Sequence, residues 1–327
     1  MSGGKNGIAV AGSVLVDKIN QIAAYPEAGQ LTQITDVSMA VGGCVPNVAL
    51  DLKKISPGMP VWAVGRIGKD AEGEFVAQTL QGGGVDVSAL TVSEGEKTSF
   101  TEVMSVIGGQ RTFFTYPGAS ADFGCGDVPF GTLEPEILHL GYFLLLKKID
   151  EGDGLSILKE AKSRGIRTSI DLVSENSDRY GLVLPCLPYT DYLIINEFEA
   201  GMLTGMVPEN RNLKAIAEKL LELGVREKVI IHKPDVAVCC SREGFTALGS
   251  YILPEDYIQG TTGAGDAFCA GALTGIYKGL SDEDILSFAS SCAVMALRCP
   301  DATGGLEQED KIMDHCRGFS RRGSEGV

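Results

Sequence analysis

The chain is short of positive charge, aromatic residues and long hydrophobic runs. Among its 327 residues are 28 Lys or Arg against 43 Asp or Glu, a formal net charge of -15. Nucleic-acid binding draws its affinity from cationic contacts to phosphate, so this balance argues against a nucleic-acid partner. A small phosphate-bearing ligand stays within reach, because backbone N–H groups and a metal ion can hold it. No stretch approaches the roughly 18 apolar residues of a membrane helix, which argues against a membrane span. The first apolar run, Ile8 to Val16, is interrupted by Gly12 and Ser13 and ends at Asp17; it reads as a strand, not as a secretory signal. The nine cysteines include no C-x-x-C pair, and Cys239 and Cys240 are adjacent. Neither a disulfide framework nor a zinc site follows; buried free thiols in a reducing cytoplasm fit better.

Other absences exclude enzyme classes. No G-x-G-x-x-G with an acidic residue beyond it follows the first strand, so a dinucleotide-dependent oxidoreductase is not indicated. No G-x-x-x-x-G-K-[ST] is found, which excludes a Walker-type NTPase, and no G-x-S-x-G points to a hydrolase. The three histidines, His139, His232 and His315, are scattered and match no metal or triad spacing; His139, between Leu138 and Leu140, reads as a satisfied strand residue. The single Trp62 reads as core.

What is present is 44% hydrophobic residues and 22% charged, enough for a large core. Strand-like and helix-like runs alternate. Val61–Val64 reads as a strand and Glu74–Leu80 as a helix stopped at Gly82–Gly84. Leu155–Ser163 reads as a helix closed by Gly165, with Ile166–Leu172 the strand after it. Tyr192–Ile195 is a buried strand. Leu213, Ile216, Ala217, Leu220 and Leu221 form one apolar helix face before Gly224, and Val229–Ile231 follows as a strand. This alternation predicts an α/β fold with a mostly parallel sheet covered by helices. One region breaks the rhythm. Thr98–Ile107 and Arg111–Tyr116 flank Gly108-Gly109-Gln110 as a hairpin would, and Val37, Met39 and Val41 alternate upstream. The pattern fits either a small separate sheet or an edge hairpin of the main one. The small, polar, basic tail from Arg317 to Val327 is expected to be disordered.

The segment with the sharpest chemistry is Gly260-Thr-Thr-Gly-Ala-Gly-Asp266-Ala-Phe-Cys-Ala-Gly-Ala-Leu273. Thr261 or Thr262 can cap a helix that the apolar residues after Asp266 continue. Gly263, Ala264 and Gly265 leave first-turn N–H groups accessible to an anion. Asp266 in the first turn can take the proton of an attacking hydroxyl. On pattern alone, an Asp that merely favours a first helical turn fits as well.

Taken with a second motif, this segment resembles the signatures of the ribokinase-like (PfkB) carbohydrate kinases, whose core runs Asp-Thr-Thr-Gly-Ala-Gly-Asp-Ala-Phe. Gly42-Gly43-Cys-Val-Pro-Asn47-Val-Ala-Leu-Asp-Leu52 is similar to the family's double glycine followed by an Asn opening a helix. Further marks lie in the expected order: Asp17, Val64–Gly73, Arg111 to Ala119, and Asn196-Glu-Phe-Glu199 onward to Gly205. The resemblance spans about residues 8 to 306. It implies one three-layer α/β/α doubly wound kinase domain over 1–316, with a small β lid from about 18–41 and 97–117. It also implies ATP as phosphoryl donor, Mg²⁺, and a small sugar or nucleoside as acceptor. Asp17, Gly42, Gly43 and Asn47 would bind the acceptor, and Asp266 would be the catalytic base beside Gly263, Ala264 and Gly265. Thr262, Gly263, Gly265 and Lys233 would face the nucleotide, and Asn196 and Glu199 would hold magnesium through water. Asn196-x-x-Glu199 is also the spacing of a helix capping box. Exposed lid residues such as Phe100, Phe113 and Phe114 suggest a homodimer joined through lids.

The chain departs from the family in three places. A Thr-x-Gly-x-x-Gly turn is replaced by His232-Lys-Pro234-Asp-Val-Ala237, where Lys233 could substitute for lost backbone contacts. Gly260 replaces an Asp that often helps hold a monovalent cation, so a potassium requirement is not expected. Gly118-Ala119-Ser120 stands for the usual Gly-Ala-Asn. The His232–Val238 segment keeps open a sugar-binding regulator that retained the fold and lost turnover, while the intact Gly263–Asp266 favours an active kinase.

Overall fold

Runs with an apolar centre become strands covered on both faces. Ile8–Ala11, Tyr192–Asn196 and Lys228–His232 are of this kind, and they pair in parallel as such strands do. The computed structural model describes residues 5–106, 109–324 and 326–327. Its main sheet has nine strands in the order Gly244–Gly249, Val236–Ser241, Lys228–His232, Tyr192–Asn196, Arg167–Leu172, Ile137–Phe143, Ile8–Ala11, Val61–Gly68, Leu90–Ser93. All neighbours are parallel except the first two pairs, which form an antiparallel edge.

Helices cover both faces and create two core layers. On one side Cys44–Ile55, Ala264–Lys278 and Asp282–Ala296 bury Leu52, Phe268, Leu273 and Met295. On the other, Gly154–Ser163 and Leu213–Glu222 bury Ile157, Leu158, Ile216 and Leu220. The face Leu213, Ile216, Ala217, Leu220 is buried as its spacing predicts. Gly224, at φ +126 against Pro188, ends that helix in a conformation that other residues rarely adopt. The first strand has the strands that follow it in sequence on opposite sides, Val61–Gly68 and Ile137–Phe143. Ligands of doubly wound sheets bind beyond the carboxyl ends of strands at such a reversal.

The hairpin region forms a sheet of its own. Ile34–Gly42, Leu15–Ile22, Ser99–Val106 and Arg111–Tyr116 make four strands in that order, separate from the main sheet. Asp17 pairs with Ala40 and Thr101, so these side chains share a face, and Ile19 and Val103 lie on the same face two residues on. Ile107 and Gly108 of the expected hairpin lie outside the described residues.

The tail differs from the expected disorder. The Ile252 N–H donates to the Ser320 carbonyl at 2.8 Å, and the Arg322 N–H to Ser250 at 2.9 Å. Tyr251 and Arg321 form an antiparallel bridge, and the Arg321 guanidinium lies 3.7 Å from the Tyr251 ring centre. Phe319 packs edge-on against Tyr251 and Tyr257. Long-range backbone pairing of this sort leaves no trace in composition.

Candidate active site

The helix Ala264–Lys278 opens without a side-chain cap. Gly263 is its N-cap at φ +79, so neither Thr261 nor Thr262 caps it. Only glycine fits at 263, because a Cβ there would stand 2.2 Å from the Ala302 carbonyl oxygen. Asp266 follows in the first turn and is 7% exposed. The Asn47 amide donates to its Oδ2 at 2.9 Å, and the Tyr142 hydroxyl lies 3.0 Å from each carboxylate oxygen. Desolvation, then the nearby charge of Asp171, pushes Asp266 up to about 7 against the pull of these two donors.

Of the residues expected to meet the acceptor, Asn47 reaches this carboxylate directly, while Gly42 packs on Asp17 and Gly43 on Ser13, and none of the four lines either cavity described below. Asn47 is buried in the first helix; its Oδ1 has no partner among the described residues, so the amide is anchored by its nitrogen and free at its oxygen. Gly43 is the N-cap of that helix at φ +88 and packs on the Ser13 backbone. A Cβ at Gly42 would come 2.5 Å from the Asp17 Oδ2. The two glycines therefore serve close packing, and Gly42 in particular leaves room for the Asp17 carboxyl. Burial pushes Asp17 up to about 6.

Two cavities meet at the helix opening. The smaller, about 380 Å³, is lined by Tyr142, Asp171, Ser174, Glu199, Gly263 and Asp266 among others. The larger, about 860 Å³, reaches from Asn196 and Phe268 to Leu253, Ile258 and Leu297. Ser174, Asn196, His232 and Gly265 line both. Thr261 lines the larger cavity, while Thr262 lines neither. Lys233 lines the larger cavity, but its Nζ is held by Asn210 Oδ1 at 2.6 Å with Asp235 at 3.7 Å. Pro234 sits in the hairpin turn between the two antiparallel edge strands.

Asn196 and Glu199 form the capping box in full. The Glu199 N–H donates to Asn196 Oδ1 at 3.0 Å and the Asn196 N–H to Glu199 Oε2 at 3.1 Å. Glu199 also accepts from the Ser174 hydroxyl at 2.8 Å and is pushed up to about 7, chiefly by burial. The cap does not exclude a cation. Each carboxylate oxygen keeps lone pairs, and the oxygens of Glu199, Asn196, Ser174 and Asp171 around one cavity form the hard donor set that suits Mg²⁺ reached through water.

Tyr142, Asp171 and His232 were not visible as contributors from motifs. Tyr142, next to the end of a parallel strand, takes φ +60, a left-handed conformation rare for tyrosine, and aims its hydroxyl at Asp266. Asp171 ends the neighbouring strand, accepts from the Tyr142 N–H at 2.6 Å and lies 3.4 Å from His139 Nε2. His139, Asp171 and Cys269 bring their ligand-type atoms within 4.8 Å of one another. His139 also meets Ser169 and Cys269, so the group forms a hydrogen-bonded chain beneath the cavity. The His232 ring stacks on Phe268 at 4.7 Å and is pushed down to about 4 by desolvation, so it is neutral near pH 7. A polar residue at the carboxyl end of a buried strand was the one signal that could have flagged Asp171 and His232.

A helix opening without a cap, a buried carboxylate and two joined cavities at strand ends define a phosphoryl-transfer type of site. Comparison with known proteins agrees. The family model described as pfkB family carbohydrate kinase matches residues 6–309. The chain belongs to this family, and it is a phosphotransferase with an alcohol group as acceptor. A ribokinase from Arabidopsis thaliana is 25% identical over 309 residues, covering 94% of this chain and 80% of the relative. A 5-dehydro-2-deoxygluconokinase from Geobacillus thermodenitrificans is 26% identical over 306 residues, covering 85% of each. Among solved structures, Arabidopsis thaliana ribokinase complexed with ribose and ATP superposes with a TM-score of 0.81 at 23% identity, covering 97% of this chain and 100% of that one. That likeness establishes the ribokinase-like fold.

Proposed function

We propose that the chain transfers the γ-phosphoryl group of ATP to a hydroxyl of a small carbohydrate of the fructose, ribose or ketodeoxygluconate type, with Asp266 as general base. The observation that carries this reading is the position of Asp266, buried at the uncapped helix opening where the two cavities meet. In the step, Asp266 takes the acceptor's O–H proton and that oxygen forms a bond to the γ-phosphorus. The bond from γ-phosphorus to the bridging oxygen breaks, and ADP leaves. The N–H groups of Gly263, Ala264 and Gly265 would face the charge on the transferred group. Asn47, with its free amide oxygen, and Asp17 would hold acceptor hydroxyls. Magnesium held near Glu199 and Asn196 would neutralise β- and γ-phosphate charge.

This reading leaves open whether potassium activates, since Gly260 stands where relatives often carry an Asp. A Cβ at Gly260 would stand 2.8 Å from the Cys299 carbonyl oxygen, so any side chain there would have to displace the loop after the last core helix. A second reading, a sugar-binding regulator without turnover, is favoured by one observation: Lys233 is engaged away from the cavity it lines. An assay of ADP release over a panel of sugars and nucleosides separates the two. Turnover on one acceptor supports the kinase; saturable sugar binding with no ADP release supports the regulator; a nucleoside as best acceptor would replace the sugar in the first reading.

The reading extends to assembly and compartment. Phe113 and Phe114 are 62% and 60% exposed on one edge strand of the lid, and Val37 is 66% exposed on the opposite edge strand. A homodimer pairing through lids would cover them. Light scattering at micromolar concentration should give twice the chain mass; a monomer would remove the proposal. A reducing cytoplasm suits nine thiols that are all free and mostly buried.

A further inference from the structure

We propose that the C-terminal segment is part of the donor site, and that Arg322 contacts the negatively charged phosphate chain of the bound nucleoside triphosphate. The inference rests on the proposed function and adds to it that the larger cavity is the donor site.

The argument starts from how the tail is held. Residues 320–322 run antiparallel to 250–252 through two backbone hydrogen bonds, so successive side chains point to opposite sides. Arg321 turns to the protein. Its guanidinium lies over the Tyr251 ring and donates to the Gly249 carbonyl, the Ser287 carbonyl and the Ser287 hydroxyl. Arg322 turns the other way and lines the larger cavity. The docking is tight: a Cβ at Gly249 would stand 1.9 Å from the Arg322 carbonyl oxygen, so glycine at 249 lets the tail lie flat at this point.

The charges single out the second arginine. A triphosphate brings several negative charges to a chain whose net charge is already -15. The cationic side chains lining the cavity, among the described residues, are Lys233 and Arg322, since His232 is neutral. Lys233 is engaged by Asn210 Oδ1, with Asp235 near. Arg322 has no side-chain hydrogen bond or close ion pair among the described residues, its charge reaching only as a longer-range pull on Asp235, and it is exposed at the cavity rim. An Arg fork suits phosphate oxygens. The apolar stretch Leu253, Ile258 and Leu297 suits the base, which leaves the polar part of the cavity for the phosphates.

The test is calorimetric binding of ATP and of adenosine to the wild-type chain and to Arg322→Ala, Arg322→Lys and Arg322→Glu, with acceptor KM and Tm beside it. Removing a charge-assisted hydrogen bond should weaken ATP about tenfold or more. Lys should restore part of the loss and Glu should deepen it. Adenosine affinity, acceptor KM and Tm should stay as in wild type, because the side chain is exposed and reads phosphate alone. Unchanged ATP affinity in Arg322→Ala would overturn the inference. An equal loss for adenosine and ATP would overturn it too, since the tail would then shape only the base end. If the wild-type chain binds no ATP at all, the donor reading itself fails, and the inference with it.

Discussion

The side of the site proposed for the acceptor and the side proposed for the donor are built differently. On the acceptor side every element is over-determined. Gly42 makes room for Asp17, Gly43 packs on Ser13, and Asn47 and Tyr142 both reach Asp266. Its side chains are largely buried and their partners lie on rigid strand ends and helix starts. The proposed donor side is a larger, more apolar cavity, walled by the edge hairpin, the loop from Ser250 to Thr261 and the tail. Here the family's turn is replaced, Lys233 is engaged elsewhere, and a cation comes from the last residues of the chain. The comparison teaches that proton transfer depends on buried geometry that tolerates little change. Donor recognition can instead be rebuilt from peripheral segments, because a charge at a cavity rim need only be in range.

The largest effect that would break this contrast is at Asp266. Asp266→Asn should lower kcat by about 10²–10⁴-fold, the usual worth of a positioned base, while ATP and acceptor still bind. A kcat within a few-fold of wild type would make the carboxylate structural. Next is the metal side. EDTA should abolish turnover, and Glu199→Gln should weaken apparent Mg²⁺ affinity, about tenfold in a magnesium titration of rate. An unchanged titration would leave Glu199 as a helix cap alone.

The smallest effect sharpens the contrast through stability. Asp266 is raised from the ordinary carboxylate range to about 7, so the folded chain holds this proton more tightly than the unfolded one. The group's contribution to stability is complete below the unfolded value and is lost as pH rises through about 7. Asp266→Asn removes that loss, so its Tm should exceed that of wild type at pH 8 by more than at pH 5. An Asp serving only the helix dipole predicts the reverse, a destabilised mutant at pH 8.

Much of this was legible in the sequence because the signals are local. The apolar face from Leu213 to Leu220, the buried run Tyr192–Ile195 and the helix after Gly265 each follow from residues within a few turns of one another. Asp266 and Asn47 were legible as members of motifs, yet their direct contact joins residues far apart in the chain and needed the fold. The hairpin signal could not say which sheet its strands join, since that depends on pairing with Leu15–Ile22. A Thr cap was a reasonable expectation from composition; the close approach of the Ala302 carbonyl, which demands glycine at 263, is a tertiary fact. Tyr142 and Asp171 lie at the ends of strands that read only as apolar runs. The tail misled because small basic residues resemble a disordered segment when their partner, residues 250–252, is not in view.

The pH dependence of kcat tests most directly whether Asp266 carries the proton. In wild type the rate should rise with pH through an apparent pKa of about 7, as the carboxyl ionises and becomes a base. Tyr142→Phe removes a donor that holds this value down, so its profile should move to higher pH. The residual rate of Asp266→Asn should show no such step. A wild-type profile that is flat from pH 5 to 9, or a step that survives in Asp266→Asn, would contradict the account.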